Sequence, residues 1–171
     1  MKKRINIITV AIDSPAAAGA GTQSKLIASK YNLLHLDTGK IYRLIGEIKL
    51  NNKKKFSYNF LKKKIKTINL KSLQKKSLLS DKVAVSAASV ARNKGIRKIV
   101  KQFQVNCAYN PPTRYSGSVL DGRDITSVIM KDAMFKFYIT ANLKTRARRR
   151  YLELKSLNRE KSYDQVLKSL R

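Results

Sequence analysis

At 171 residues the chain is long enough for one domain with a real core and too short for two comfortable ones, and its 43% hydrophobic content suits a globular protein. No apolar run approaches the ~20 residues of a membrane span, and the single Cys107 excludes an internal disulfide and any multi-cysteine metal site. The 38 basic residues against 10 acidic ones give a net charge of +28, which attracts anions of every kind.

Two readings of that charge compete. Lysines that neutralise phosphates release counterions and would bind nucleic acid. Here, however, 26 lysines and 12 arginines are scattered among Asn and Ile, without the interleaved aromatic residues of a base-stacking platform. Compositional bias with attraction for anionic nucleotides is the favoured reading, and no nucleic-acid partner is expected.

The N-terminus, "MKKRINIITVAID", is basic and then apolar, superficially like a signal peptide. Its apolar part is short, alternates as a strand does and runs into Asp13 without a small-residue cleavage site. Residues 5–12 are therefore expected to form the first core strand of a cytoplasmic protein with no membrane partner. "DSPAAAGAGT" follows, from Asp13 to Thr22, and leads into a helix over about 21–30 with Leu26, Ile27 and Tyr31 at helical spacing. A strand, a small-residue loop and a helix start form the layout of a phosphate-binding loop, whose backbone N–H groups and helix dipole attract phosphate oxygens. In the pattern G-x-x-x-x-G-K-[ST] the first glycine's place holds Ser14 and the lysine's place holds Ala20. Small-residue turns also occur for packing reasons, so this loop alone leaves both readings open. Thr22 is positioned to place a hydroxyl on Mg²⁺.

"NLLHLDTG" (32–39) reads as a short strand with a polar end, and "KIYRLIGEIKL" as a helix carrying Tyr42 and Arg43. The lysine-dense stretch 51–80 reads as a peripheral insert of short strands or helical pieces. Residues 81–109 read as largely helical with a break near Gly95, and "NPPTRYSG" as a loop. "SVLDGRD" (118–124) is a strand running into a charged turn, where Arg-Asp suits a grip on phosphate plus an acceptor for an amino group. Another strand is expected over 133–140. The basic helix 144–157 brings Arg146, Arg149 and Arg150 to one side, and a last helix begins in "SYDQVLKSLR". Strands alternating with helices predict a three-layer α/β fold with a mostly parallel sheet and ligands at the strands' carboxyl ends.

Together these stretches resemble the bacterial cytidylate kinases, nucleoside monophosphate kinases of the P-loop type. The family's D-G-P-x-G-x-G-K-G-T is met by "DSPAAAGAGT", and its L-D-[ST]-G-x-x-Y-R by Leu36, Asp37, Thr38, Gly39, Tyr42 and Arg43. Its D-G-R-D-[IM]-G-T-V-V-x-x-D-A is met by "DGRDITSVIMKDA", and its R-A-x-R-R helix by "TRARRR". The resemblance implies one P-loop kinase domain over 1–171, with 51–80 as a small nucleotide-binding insert and 144–171 as the start of a basic helical lid.

It also implies transfer of a phosphoryl group from ATP, with Mg²⁺, to CMP or dCMP in pyrimidine metabolism. ATP would lie on Ser14, Pro15, Ala16, Ala17, Ala18, Gly19, Ala20, Gly21 and Thr22. The acceptor would be bound by Thr38, Arg43, Ser89, Arg97, Arg123 and Asp124, with Arg43 and Arg123 on its phosphate and Arg97 and Asp124 on the cytosine edge. Thr22, Arg123, Arg146 and Arg150 would be the catalytic group, and a complete chain is expected to be a monomer. Three departures stand against this pattern: Ala20, a short insert, and a sequence that stops at Arg171, before the family's R-D-x-x-D-x-x-R segment and its last strand and helix. From the last, an incomplete lid and an uncovered sheet edge are expected. Another small-molecule kinase, or a degenerate nucleotide binder or basic nucleic-acid-associated protein without activity, are the alternatives.

Overall fold

The structure, a computed structural model, describes residues 6–171. Four strands, β1 (Ile8–Asp13), β2 (Leu33–Asp37), β3 (Gly117–Gly122) and β4 (Phe135–Tyr138), form one parallel sheet in the order β2-β3-β1-β4. β1 and β3 are almost continuously buried, as central strands covered on both faces must be. The strand foreseen over 5–12 begins at Ile8, and Ile5 lies outside the described residues.

The helices are α1 (Ala20–Tyr31), α2 (Thr38–Asn51), α3 (Tyr58–Lys66), α4 (Asp81–Arg92), α5 (Lys94–Tyr109), α6 (Leu143–Ser156) and α7 (Tyr163–Leu170). On one face of the sheet the larger core joins Leu34, Leu36 and Leu120 to Ile41 and Ile45 of α2 and Val100 of α5. On the other, α1 covers a smaller cluster of Val10, Ile12, Leu33 and Val119, which Ala20 completes. α2 and α4 approach closely because Gly46 lacks a side chain: a Cβ there would lie 2.7 Å from the Ala87 nitrogen.

The regular elements of the insert prove all helical. α3 is followed by two 3-10 turns, Leu70–Gln74 and Lys76–Leu79, and Leu61, Ile65, Leu73 and Leu78 are buried. So few inward anchors among so many lysines explain the weak periodicity. The helix break falls at Asn93, whose side chain accepts from the Ile96 amide and starts α5, while Gly95 lies within the first turn of α5.

Register brings the acidic strand ends together: Asp37 lies opposite Asp121, and Asp13 opposite Gly122. Beyond β3 the chain turns through Asp124, at φ 59°, into a π-helical turn over Ile125–Ile129. α6 and α7 pack on each other as a hairpin, with Leu154 and Val166 buried. Among the described residues no helix is long and apolar enough to cross a membrane.

Candidate active site

The loop between β1 and α1 is shaped by its backbone. Ser14 donates its amide to the Gly122 carbonyl at 3.0 Å, and Ala18 donates to the Pro15 carbonyl at 3.3 Å. Ala17 and Gly19 take positive φ, 61° and 104°. Glycine adopts that region freely; an alanine does so at a cost of about 1–2 kcal/mol. No side chain caps α1 among the described residues, so its first N–H groups are open to an anion. Ala20 is 4% exposed, and Thr22 is exposed on the cleft.

The facing wall is built from side chains. Asp37 caps α2 by accepting from the Lys40 amide at 3.2 Å, and Thr38 donates its hydroxyl to the Asp121 carbonyl at 2.9 Å. Gly122 makes room for that contact, since a Cβ there would sit 2.0 Å from Thr38 Oγ1. Asp121 pairs through Oδ1 with His35 Nε2 at 2.7 Å, and its Oδ2 faces Gly21 at the start of α1. Burial, and then repulsion from Asp121, raise the Asp37 pKa above the usual carboxylate value, against the pull of Lys40 and His35. Tyr42 is also raised, chiefly by burial.

Arg43 donates Nη1 to the Leu78 carbonyl at 2.9 Å. Burial lowers its pKa, and the charges of Arg150 and Arg159 lower it further. Arg97 Nη2 lies 3.6 Å from Asp124 Oδ2, so the two residues foreseen as base readers stand as a pair. Asp13 holds the turn behind them, accepting from the Ile125 amide at 2.6 Å, the Thr126 amide at 3.1 Å and Thr126 Oγ1 at 2.5 Å.

The α6 arginines reach the loop from the other side. Arg146 Nη1 donates to the Ala16 carbonyl at 3.4 Å, and Arg149 Nη1 to the Ala18 carbonyl at 2.8 Å. Arg150 pairs with Glu153 at 2.8 Å, and Arg159, between α6 and α7, pairs with Asp81 at 3.0 Å.

A cleft of about 1160 Å³ is lined by the whole loop from Ser14 to Thr22 and by Thr38, Arg43, Arg97, Arg123, Asp124 and Arg150. Arg146 borders an adjoining recess with Arg123 and Asp124. Ser89 is not brought in: it is exposed, accepts from Lys49 Nζ at 3.3 Å and lies off the cleft lining. The buried Gln104 does line the cleft; it stands seven residues after Arg97, on the same face of α5, a spacing that could have found it. Asp121 was equally missed as a site carboxylate. Cys107 is a buried thiol pushed up to about 11 by burial, and inert to this chemistry.

The arrangement offers hydroxyl and carboxylate oxygens at Thr22 and Asp121, donors that suit Mg²⁺. Among the described residues no group of three or more His, Cys, Asp or Glu side chains could cage a metal alone.

The family model for cytidylate kinase matches residues 10–171. The cytidylate kinase of Bartonella tribocorum is 39% identical over 168 residues, covering 94% of this chain and 74% of that relative. Those of Bartonella bacilliformis and Fusobacterium nucleatum are 37% and 38% identical, covering 98% and 96% of this chain and 76% and 78% of theirs.

Proposed function

The chain belongs to the cytidylate kinase family, and from that premise we propose that it transfers the γ-phosphoryl group of ATP to CMP or dCMP, giving CDP or dCDP. The observation that carries this reading is the shared cleft: the uncapped start of α1 faces the Arg97–Asp124 pair and Arg43 across it. One wall suits a polyphosphate, and the other a phosphate and a base with an exocyclic amino group.

In this reading the loop from Ser14 to Thr22 cradles the ATP phosphates with backbone N–H groups. Arg43 and Arg123 hold the acceptor phosphate, and Thr38 lies beside the sugar-phosphate. Asp124 accepts from the cytosine amino group, while Arg97 donates to the acceptor edge of the same base. Gln104 supplies a further polar contact from the same face of α5. Thr22 and Asp121 would hold Mg²⁺ together with the nucleotide; when bound, the ion neutralises charge on the phosphate oxygens.

Phosphoryl transfer needs little covalent help from a protein, and positioning with positive charge supplies the catalysis. Ala20 removes the charge that a loop lysine would bring. Arg146 and Arg150, on the helix whose arginines already touch the loop, replace that charge only in part.

A coupled assay of ADP release, run with each nucleoside monophosphate in turn, tests the reading. Turnover is expected with CMP and dCMP, and weakly with UMP, whose O4 would oppose the Asp124 carboxylate. ADP release equal for CMP and UMP, or absent with all of them, would overturn it.

A further inference from the structure

Beside the main cleft lies a recess of about 220 Å³, between the start of α2 and the α6–α7 hairpin. Lys40, Arg43, Arg150 and Arg159 stand on its walls, with Asp37 and Glu153 as counter-charges. Glu153 is engaged by Arg150 at 2.8 Å. The Leu78 carbonyl orients Arg43 but, being neutral, does not offset its charge. Three guanidiniums thus gather around two carboxylates, and the pKa of Arg43, lowered first by burial, is lowered further by the charges of Arg150 and Arg159. An anion relieves such a cluster.

Arg159 is the member that no sequence motif singled out. Its side chain is 15% exposed, yet its partner Asp81, in the first turn of α4, is 73% exposed. A solvated carboxylate is a weak and exchangeable partner. Arg159, Arg43, Arg150 and Asp81 all border the main cleft as well, so the same guanidinium faces both spaces. Its pairing with Asp81 ties the hairpin to the wall that carries the acceptor side.

We propose that Arg159 is a further binding residue for the phosphate of the nucleoside monophosphate, parked on Asp81 until a phosphate dianion between Arg43 and Arg150 takes the carboxylate's place. The inference rests on the kinase reading above. The attacking oxygen of the acceptor belongs to that phosphate, so a further guanidinium on it fixes the nucleophile as well as adding affinity. A latch would behave differently: if Arg159 merely fastened the hairpin, either partner of the ion pair would be equally needed.

Calorimetric titration of the chain with CMP, with cytidine and with ATP, on the wild type, Arg159→Gln and Asp81→Asn, separates these. Arg159→Gln is expected to weaken CMP about ten-fold, the size of one charge-assisted contact, and to leave cytidine and ATP unchanged. Asp81→Asn, which frees the guanidinium, is expected to bind CMP at least as tightly as the wild type. The inference falls if Arg159→Gln binds CMP like the wild type, if it loses ATP and CMP affinity in parallel, or if Asp81→Asn loses CMP affinity to the same extent. A wild-type chain that binds no CMP at all would instead overturn the kinase reading, and the inference with it.

Discussion

On the wall made by α2, α5 and the end of β3, side chains fix one another: Thr38 on the Asp121 carbonyl, His35 on Asp121, Arg97 beside Asp124, and Asp13 on the turn that follows. On the loop opposite, from Pro15 to Gly21, side chains are a ring, methyl groups or hydrogens, and the binding groups belong to the backbone. A wall of side chains can tell one base from another, because each donor and acceptor has a set position. A wall of backbone amides recognises phosphate but brings no formal charge, and so depends on arginines delivered by α6. Substitutions should therefore act differently on the two sides.

The largest effect is expected from giving the loop its own charge. Ala20→Lys should raise kcat/KM for ATP by the equivalent of about 2–4 kcal/mol, the scale of one transition-state donor, with CMP affinity little changed. The lysine stem must leave the cluster of Val10, Ile12, Leu33 and Val119 that Ala20 completes, and Ala20 borders the cleft into which it can extend. Steady-state kinetics with ATP varied is the check; an unchanged rate would mean that the α6 arginines already supply the full charge. On the other wall, Asp124→Ala should narrow the preference for CMP over UMP by about 1–3 kcal/mol, roughly ten- to hundred-fold. Titration with both nucleotides measures it, and an unaltered ratio would deny Asp124 the reading of the base.

Gly122 lies where the walls meet. Gly122→Ala drives a Cβ to within 2.0 Å of Thr38 Oγ1, so it should cost about 1–3 kcal/mol of stability as overpacking and weaken both nucleotides together. A denaturant midpoint with paired titrations would show this, and loss confined to one nucleotide would contradict the junction. The smallest effect belongs to Ala17. Relief of its left-handed backbone by Ala17→Gly is worth about 1–2 kcal/mol, and the freer unfolded chain takes back ~0.4–1 kcal/mol. A net gain of about 0.5–1 kcal/mol in thermal or denaturant unfolding is expected; a loss would mean that the loop carries no such strain.

Much of this site was legible because its parts are local. The loop, "LDTGKIYR" and "DGRD" each stand at the carboxyl end of a strand, and a parallel sheet gathers strand ends at one edge. What stayed hidden was set by contacts between distant segments. His35 and Asp121 are 86 residues apart in sequence, and only the pairing of β2 with β3 makes them neighbours. Ser89 was misplaced for a related reason: Val83, Ser86, Ala87 and Val90 form the buried face of α4, which leaves Ser89 turned toward Lys49. The insert's exact pieces were illegible because a lysine-rich stretch with four inward anchors has almost no pattern to read.

Asp13 ends the strand from which the loop proposed to hold ATP springs, yet its carboxylate grips Ile125 and Thr126, behind Arg123 and Asp124. The two proposed nucleotide sites thus hang from one strut. Thermodynamic linkage then makes any help mutual: to whatever factor ATP, by seating the loop, steadies the cytosine reader, CMP returns the same factor to the affinity for ATP.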